Sequence, residues 1–465
     1  MKNKVISSAI WYTIGNILNK GLAFITVPIF TRLLSKSDFG DYSNYSTWTG
    51  VFASVLPLSL ASSLATARYD YRDKYHTYIS SILILSNTVC ASVGLLFCCF
   101  IGSVEKLLSL DRKYIYLMII YLFLSPSYTI YMEMKRLEYK YKLVLFLTLS
   151  ASVLSTIFSI LFTIISEDKV SGRTFGYQIP IIIVYLMIYI YLLSRLNRPN
   201  IDHWRYALSI CLPLVFHTLG TTILNSSDRL MIKRFCGSEE TAYYSVAYTV
   251  SMMVYIVVTS VNDSVAPWIV ECMHKQDMAK MRRWISRFYD FYFLLLNLII
   301  IISPEILFIA GGKDYYIAKH VMPPVIGSYL FILFQIMYND ALRTSKKTVY
   351  IAGVTMSASL INVVLNYIAI PVYGYIAAAY TTLISYAFIW ITISILIRRL
   401  NLSAYFPNKK ILFMSLVEIV IVLVSGFLYN MNTLRYLVLV IYIGLFIYYF
   451  IKNKNIIVQI VEVKK

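Results

Sequence analysis

The sequence is poor in charged residues. Asp, Glu, Lys and Arg make up 14% of the 465 residues, against 59% hydrophobic residues, and the mean hydropathy is +0.68. These polar side chains are too few to coat a soluble globule. The composition therefore predicts a protein that lies in a bilayer.

The chain also lacks the motifs of several classes of enzyme. Its six cysteines are scattered, without CxxC pairs or metal-ligand spacing, and are interpreted as small core hydrophobes. Gly311-Gly312-Lys313 lacks the upstream glycine and the following Ser or Thr of a phosphate-binding loop. GxSxG and HExxH are absent from the sequence as well. We therefore expect no enzymatic activity, no metal site and no cofactor, and any transport to be secondary.

What the sequence does contain is a series of apolar segments. About twenty apolar residues are needed to cross a bilayer as a helix. That criterion predicts an all-α polytopic protein with about fourteen transmembrane helices. The predicted segments are 9–34, 41–66, 78–101, 114–133, 143–165, 175–193, 207–232, 241–265, 288–310, 320–341, 349–370, 375–396, 412–430 and 436–451.

The formal net charge of +19 comes from cations in the short loops between these segments. With the N-terminus inside, 28 Lys and Arg residues fall on the cytoplasmic side and 13 on the other, while Lys20 lies within the first segment. This bias is the signature of membrane orientation, so both termini are predicted to be cytoplasmic. It gives no support to a nucleic-acid partner.

A junction between two helices occurs twice in the chain. The stretch GLAFITVPIFTRLLSKSDFGDYSNYS begins at Gly21 and is predicted to hold a seven-residue polar turn. Its skeleton returns at an offset of 202 in FCGSEETAYYSVAYT, where Gly40 corresponds to Ala242 and Tyr42 to Tyr244. The repeat indicates two related halves.

Six predicted spans separate the first and seventh segments, so the two halves point the same way across the membrane. We expect two parallel six-helix bundles around a central cavity, followed by two C-terminal helices. The predicted domains are 1–200, 201–400 and 401–465, the last holding the extra helices and a cytoplasmic tail.

Lys20 is the unusual residue of the first segment, because a lysine near the middle of a span costs roughly 2.5 to 3.5 kcal/mol on insertion scales. Thr13, Asn16, Lys20 and Thr31 share one helical face within about 60°. One interpretation is a cavity cation that meets an anionic substrate. The alternatives are a lysine that snorkels to the interface or pairs with an acid on a neighbouring helix.

A second polar face is predicted in the seventh segment. His217, Thr221 and Asp228 lie close to one helical face, where they could relay protons or bind a coupling cation. An interfacial ion pair between Asp228 and Arg229 is the alternative. Glu418, deep in the thirteenth segment, has no assigned role.

Three blocks of sequence resemble a known family. The first is ITVPIFTRLLSKSDFGDYS, the second NSSDRLMIKRFCGSEETAYYSVAYT and the third INVVLNYIAIPVYGYIAAAY. They are similar to blocks of the Wzx-type polysaccharide flippases, within the MATE-like multidrug, oligosaccharidyl-lipid and polysaccharide exporter superfamily. The residues that match the family motifs are Arg32, Asp38, Phe39, Gly40, Tyr42, Arg229, Asn362, Asn366, Pro371 and Gly374.

The resemblance implies transport of an undecaprenyl-pyrophosphate-linked oligosaccharide from the cytoplasmic to the outer leaflet of the bacterial inner membrane. The product would serve O-antigen (lipopolysaccharide) or capsule biosynthesis. The cavity candidates are then Lys20, Asn16, Thr13, His217, Thr221 and Asp228, with Lys20 opposite the pyrophosphate. Membrane lipid, a coupling proton or sodium ion and the polymerase of the same pathway are the further partners considered.

Three alternatives stay open at this point. One is a non-transporting membrane scaffold, which would not explain the buried polar stripe. A MATE-type exporter of drugs, or of another lipid-linked precursor, would have the same fold but would need a cavity acid for cationic drugs. A polysaccharide polymerase would be expected to carry a long outward loop with catalytic cations. The longest outward connection predicted here, Gly102 to Lys113, has about twelve residues.

The predicted orientation is testable with reporter fusions. An enzyme tag that is active only outside the cytoplasm should be active after Leu110 and Met431, since odd-numbered spans lead outward. It should be inactive after Lys74, Lys140 and Lys465. Activity at Lys465 would overturn the assignment of both termini.

Overall fold

The computed structural model describes residues 15, 21–22, 24–345 and 347–452. Over these residues the chain is helical and contains no strand. The α-helices are α1 Phe24–Leu33, α2 Lys36–Val55, α3 Leu64–Asp70, α4 Tyr75–Cys99, α5 Ile101–Leu108, α6 Arg112–Leu137, α7 Tyr141–Ile165, α8 Lys169–Leu193, α9 Ile201–Phe235, α10 Ser238–His274, α11 Met278–Gly311, α12 Met322–Thr344, α13 Thr348–Tyr373, α14 Tyr375–Arg399, α15 Asn408–Leu428 and α16 Asn432–Lys452.

Twelve stretches of helix in the described part of the chain are long and apolar enough to cross a membrane, and α1 is a shorter apolar helix. The prediction of an all-α polytopic membrane fold is confirmed. Residues 9–14, 16–20 and 23 of the first predicted segment, 9–34, lie outside the described residues, and the 37-residue α10 covers the predicted segment 241–265. The count of fourteen and the orientation stay predictions.

The helices form two compact units, Met1–Ala242 and Tyr243–Lys465. In the first unit α7 packs along α8, and α2 packs against α9. In the second unit α14 packs against both α12 and α13, while α11 contacts α12 and α16. The division into residues 1–200, 201–400 and 401–465 stays a prediction.

The predicted second segment, 41–66, is not one continuous helix. Helix α2 ends at Val55, and Leu58 and Ser59 adopt left-handed backbone angles with φ of 53° and 52°. A short 3-10 turn, Leu60–Ser63, then leads into α3. Pro57 lies at the break, where its lack of an N–H ends the helical hydrogen bonding.

The predicted seven-residue turn after α1 is also corrected, because Asp38, Phe39 and Gly40 lie inside α2. The Asp38 amide donates to Ser35 Oγ at 3.1 Å, and the Ser35 amide donates to the Asp38 carboxylate at 3.3 Å. This reciprocal capping satisfies two donors at the helix start. Asp38, the acid of the motif, therefore lies in the first turn of a helix and is not part of a loop.

The junction between α9 and α10 has the same boundaries as the junction between α1 and α2. Phe235 and Ser238 correspond to Leu33 and Lys36 at the offset of 202. Gly237 takes the capping position with φ of +104°, and its carbonyl accepts from the Thr241 amide and hydroxyl. The two junctions therefore begin their second helices in the same register.

Several glycines allow helix backbones to touch. A Cβ on Gly40 would overlap the carbonyl oxygen of Ser238 at the start of α10. In α8, a Cβ on Gly172 would lie 2.5 Å from the Phe162 carbonyl oxygen of α7, and one on Gly176 would lie 2.6 Å from that of Phe158. The spacing of these two glycines is the small-xxx-small pattern of closely packed membrane helices.

Gly40→Ala and Gly50→Ala form a matched pair within α2. Gly40→Ala should destabilise the protein by about 1 to 3 kcal/mol, because the added methyl group overpacks a backbone contact. Gly50 is exposed, and a methyl group added there would meet no atom within 4 Å. Gly50→Ala should therefore be neutral or stabilising by up to about 1 kcal/mol.

The measurement is the thermal unfolding of both variants in detergent, together with their abundance in the membrane. Equal behaviour of the two variants would contradict the contact at Ser238. Normal stability of Gly40→Ala with lost export would instead assign this helix start to the transport cycle.

Candidate functional site

The polar stripe of the first segment lies mainly outside the described residues, which include neither Thr13, Asn16 nor Lys20. Thr31 belongs to the same predicted stripe and is described. Its hydroxyl donates to the Pro28 carbonyl oxygen at 3.2 Å, and the Arg32 guanidinium donates to the same oxygen at 2.7 Å. Arg32 thus contributes to the C-terminal turn of α1, and the stripe as a cavity lining stays a prediction.

The predicted polar face of the seventh segment lies on α9. Thr221 donates its hydroxyl to the carbonyl oxygens of His217 at 3.2 Å and Thr218 at 2.9 Å, so its own helix supplies its partners. His217 is half-buried, whereas Asp228 is 1% exposed. His217, Asp228 and Arg229 each take part in polar or ring interactions. Their joint role in binding stays a prediction.

An ionic cluster that sequence reasoning missed joins three helix ends in the first unit. Lys233, near the end of α9, contacts the carboxylate of Asp41 and donates to Ser238 Oγ at 2.5 Å. Ser238 in turn donates to Asp41 at 2.9 Å. The Lys233 side chain is 14% exposed. The cluster thus ties α2 to the junction of α9 with α10, and the sequence offers no signal for it beyond the repeat.

Arg173 on α8 is the second missed residue and is 8% exposed. Its guanidinium lies 3.7 Å from the ring centroid of Tyr42, 4.1 Å from that of Phe30 and 4.6 Å from that of Phe39. A desolvated guanidinium over aromatic faces is stabilised by cation–π attraction. Two residues of the family motif, Phe39 and Tyr42, therefore form the aromatic wall around a buried cation.

Arg173 is easily overlooked in the sequence, since the predicted sixth segment begins at 175 and leaves this residue in a loop. The helix in fact begins at Lys169, where Asp168 caps it by accepting from the Ser171 amide. Although partial burial opposes ionisation of Asp168, hydrogen bonds from Lys113 at 2.6 Å and from Ser171 lower the pKa of its carboxyl group to about 2. This charged cap extends the helix beyond the purely apolar run.

The third sequence block forms a buried polar contact between α13 and α14. Asn366 donates its amide to Asn362 Oδ1 at 3.1 Å, and the Thr381 hydroxyl donates to Asn366 Oδ1. Both asparagines are fully buried. Pro371 lies in the last turn of α13, and Gly374, with φ of +71°, links the two helices. These motif residues thus join neighbouring helices through hydrogen bonds and a tight connection.

The fold resembles two solved transporter structures. The lipid II flippase MurJ in an inward closed conformation superposes with a TM-score of 0.72 at 16% identity, over 94% of this chain and 98% of that chain. An inward-facing multidrug resistance MATE family transporter gives a TM-score of 0.64 at 14% identity, over 86% and 98%. The architecture is therefore that of a multi-pass membrane protein with a MurJ- and MATE-like fold.

Residues 5–273, more than half of the chain, match the family described as polysaccharide biosynthesis protein, and residues 213–368 match the MatE family. The chain belongs to the polysaccharide biosynthesis protein family. The resemblance to Wzx-type and MATE-like flippases is thereby confirmed at the level of the family.

Two relatives extend the comparison. The Lsg locus putative protein 1 of Haemophilus influenzae is 21% identical over 377 residues, which cover 77% of this chain and 91% of that protein. The probable low-salt glycan biosynthesis flippase Agl15 of Haloferax volcanii is 21% identical over 198 residues, 42% of each chain.

Arg173→Lys tests the aromatic surroundings of the guanidinium. Lysine carries the same charge but presents no planar group to the three rings, so we expect a loss of about 1 to 2 kcal/mol of stability. Arg195 is the control, since it is exposed and lies 4.7 Å from the ring of Tyr191 alone. Arg195→Lys should change stability by less than about 0.5 kcal/mol.

Both variants would be compared by thermal unfolding of the purified protein in detergent. Similar thermal unfolding midpoints for Arg173→Lys and the wild type would show that the positive charge at position 173 is sufficient for stability, without stacking of a planar group on the rings.

Proposed function

We propose that this protein is a flippase for an undecaprenyl-pyrophosphate-linked oligosaccharide repeat unit. It would move that unit from the cytoplasmic to the outer leaflet of a bacterial inner membrane for O-antigen or capsule biosynthesis. The observation that carries the proposal is membership of the polysaccharide biosynthesis protein family over residues 5–273. The MurJ-like fold supports it, because that fold is described for a flippase of another lipid-linked precursor.

Charge considerations favour an anionic substrate. A pyrophosphate cannot enter a dry cavity without a counter-charge, and Lys20 is the candidate that would supply it from the first span. The inside-negative potential also assists, since outward movement of about two negative charges is favourable by roughly 4 to 5 kcal/mol per 100 mV. On this proposal the protein is a transporter and not an enzyme, and a proton or sodium ion is an optional coupling partner.

A MATE-type exporter of cationic drugs is the second candidate, favoured by the match of residues 213–368 to the MatE family. It would require an ionised acid at the substrate site. The first predicted span instead offers a lysine, so the flippase remains the proposed function.

Deletion of the gene tests this function directly. Lipid extracts of the deletion strain should contain accumulated undecaprenyl-linked oligosaccharide on the inner leaflet, and surface polymer should be lost. An unchanged lipid-linked pool would contradict the proposal. Sensitivity to cationic dyes without any change in that pool would favour the drug exporter.

Lys20 variants in the same strain test the counter-charge. Lys20→Arg should retain part of the export, Lys20→Gln should lose most of it, and Lys20→Glu should abolish it because the charge then repels the pyrophosphate. Protein abundance should stay near normal in all three if the side chain faces the cavity. Lys452→Gln, an exposed position at the end of α16, is the control and should export normally.

Two outcomes would contradict this role of Lys20. Near-normal export by Lys20→Gln would exclude a required cation. Loss of abundance in Lys20→Gln would show that Lys20 pairs with a buried acid, since a broken buried pair costs on the order of 3 to 5 kcal/mol.

A further inference from the structure

Glu418 lies at the middle of α15 and is completely buried, with 0% of its surface exposed. It meets Asn297 of α11, which is 1% exposed. The Asn297 amide nitrogen donates to Glu418 Oε2 at 3.0 Å and to the Phe293 carbonyl oxygen at 2.9 Å. A single hydrogen bond thus connects the two side chains.

Within the described part of the chain, the other two oxygens of this pair have no hydrogen-bond donor. Glu418 Oε1 and Asn297 Oδ1 are both buried, and neither has a partner within the described part of the chain. Each of these oxygens belongs to a side chain whose other polar atom takes part in the hydrogen bond between Asn297 and Glu418. Two acceptors without a donor, in a buried site, are a costly arrangement.

The described surroundings of Glu418 offer no compensating positive charge. Lys, Arg and His make no ion pair with it among the residues that the structure describes. Among the described residues, the titratable groups on which Glu418 acts electrostatically are the phenols of Tyr292 on α11 and Tyr442 on α16. On α12, a Cβ on Gly327 would lie 2.6 Å from Val422 Cγ2 and 3.2 Å from Glu418 Oε1, so the glycine leaves space beside the carboxyl group.

A proton on Glu418 Oε1 would address both the unpaired buried charge and the missing hydrogen-bond donor. The carboxyl group becomes neutral, which removes the penalty for a charge that is buried without a partner. Its new O–H becomes a donor, and the acceptor that lacks one is Asn297 Oδ1. A carboxylic acid and an amide are complementary in this way, since each supplies one donor and one acceptor.

We propose that Glu418 is a proton-binding site, held neutral at physiological pH and paired with Asn297 by two reciprocal hydrogen bonds that tie α15 to α11. Release of the proton leaves two acceptors without a donor and a buried charge, so it weakens this contact between helices. The site does not depend on the proposed flippase activity. A glutamate that is exposed in the unfolded chain is ionised at neutral pH, whereas the folded protein keeps a proton on Glu418. The folded state therefore binds more protons than the unfolded state, so the free energy of unfolding falls as pH rises.

Infrared difference spectroscopy on the purified full-length protein tests the proposal. The wild type at neutral pH should show the C=O band of a protonated carboxylic acid, shifted in D₂O, and Glu418→Gln should lack it. Glu305→Gln is the control, because Glu305 pairs with Arg435 at 2.5 Å. That control should lose carboxylate bands and keep the carboxylic acid band.

Thermal unfolding gives an independent readout. Gln carries the donor and the acceptor of a neutral acid, so Glu418→Gln should unfold near the wild-type temperature and lose part of the wild-type decline with rising pH. Asn297→Leu removes both amide atoms and should lower the unfolding temperature. If Glu418→Gln does not fold, Asn297→Leu assigns the carboxylic acid band, which should shift because the O–H of Glu418 has lost its acceptor; an unshifted band would contradict the pairing with Asn297.

Two results would overturn the proposal. Loss of carboxylate bands in Glu418→Gln, with no change in the carboxylic acid region, would show that Glu418 is ionised. Stabilisation of the wild type by sodium chloride beyond potassium chloride, absent in Glu418→Gln, would show a sodium site in place of a proton site.

Discussion

Close approach of helix backbones at glycine positions is the constraint on which the described helices depend. Lipid tails are as apolar as leucine, so burial of apolar surface does little to hold helices together inside a bilayer, and packing contacts with interhelical hydrogen bonds must do so. Gly40, Gly172 and Gly176 each bring a helix against backbone atoms of another element. A methyl group at any of them would separate two helices and remove the short contacts around that point.

These contacts also determine where ionisable groups are buried. Because Gly172 and Gly176 seat α8 on α7, Arg173 is directed to the aromatic rings of α1 and α2. In the second unit, Gly327 gives Glu418 its room beside α12. A buried ionisable group is tolerated where it is neutral or where a specific partner for its charge is fixed in advance. In each case the glycine that allows close packing and the buried ionisable residue occur at the same contact between helices.

Hydropathy predicted the helical class and most spans of this chain, because the length of an apolar run is a local property. The repeat indicated two related halves, but not that Asp38 lies in a helix cap, since capping depends on a one-residue boundary. The aromatic surroundings of Arg173 were beyond sequence reasoning, because the cation and its rings come from three helices. Glu418 stood out as a mid-span acid, yet its partner Asn297 lies 121 residues away and left no local signal.

The sign of charge at the substrate site separates two functions that share this fold. A cationic drug needs an ionised acid, whereas a pyrophosphate needs a cation. If Glu418 is neutral, it cannot attract a cationic drug, and its role reduces to a proton-dependent contact between α11 and α15. Asp340, another buried acid of the second unit, lies 3.6 Å from Arg343 on its own helix. On the proposal that Lys20 faces the cavity, its charge would match an anionic substrate and would repel a cationic one.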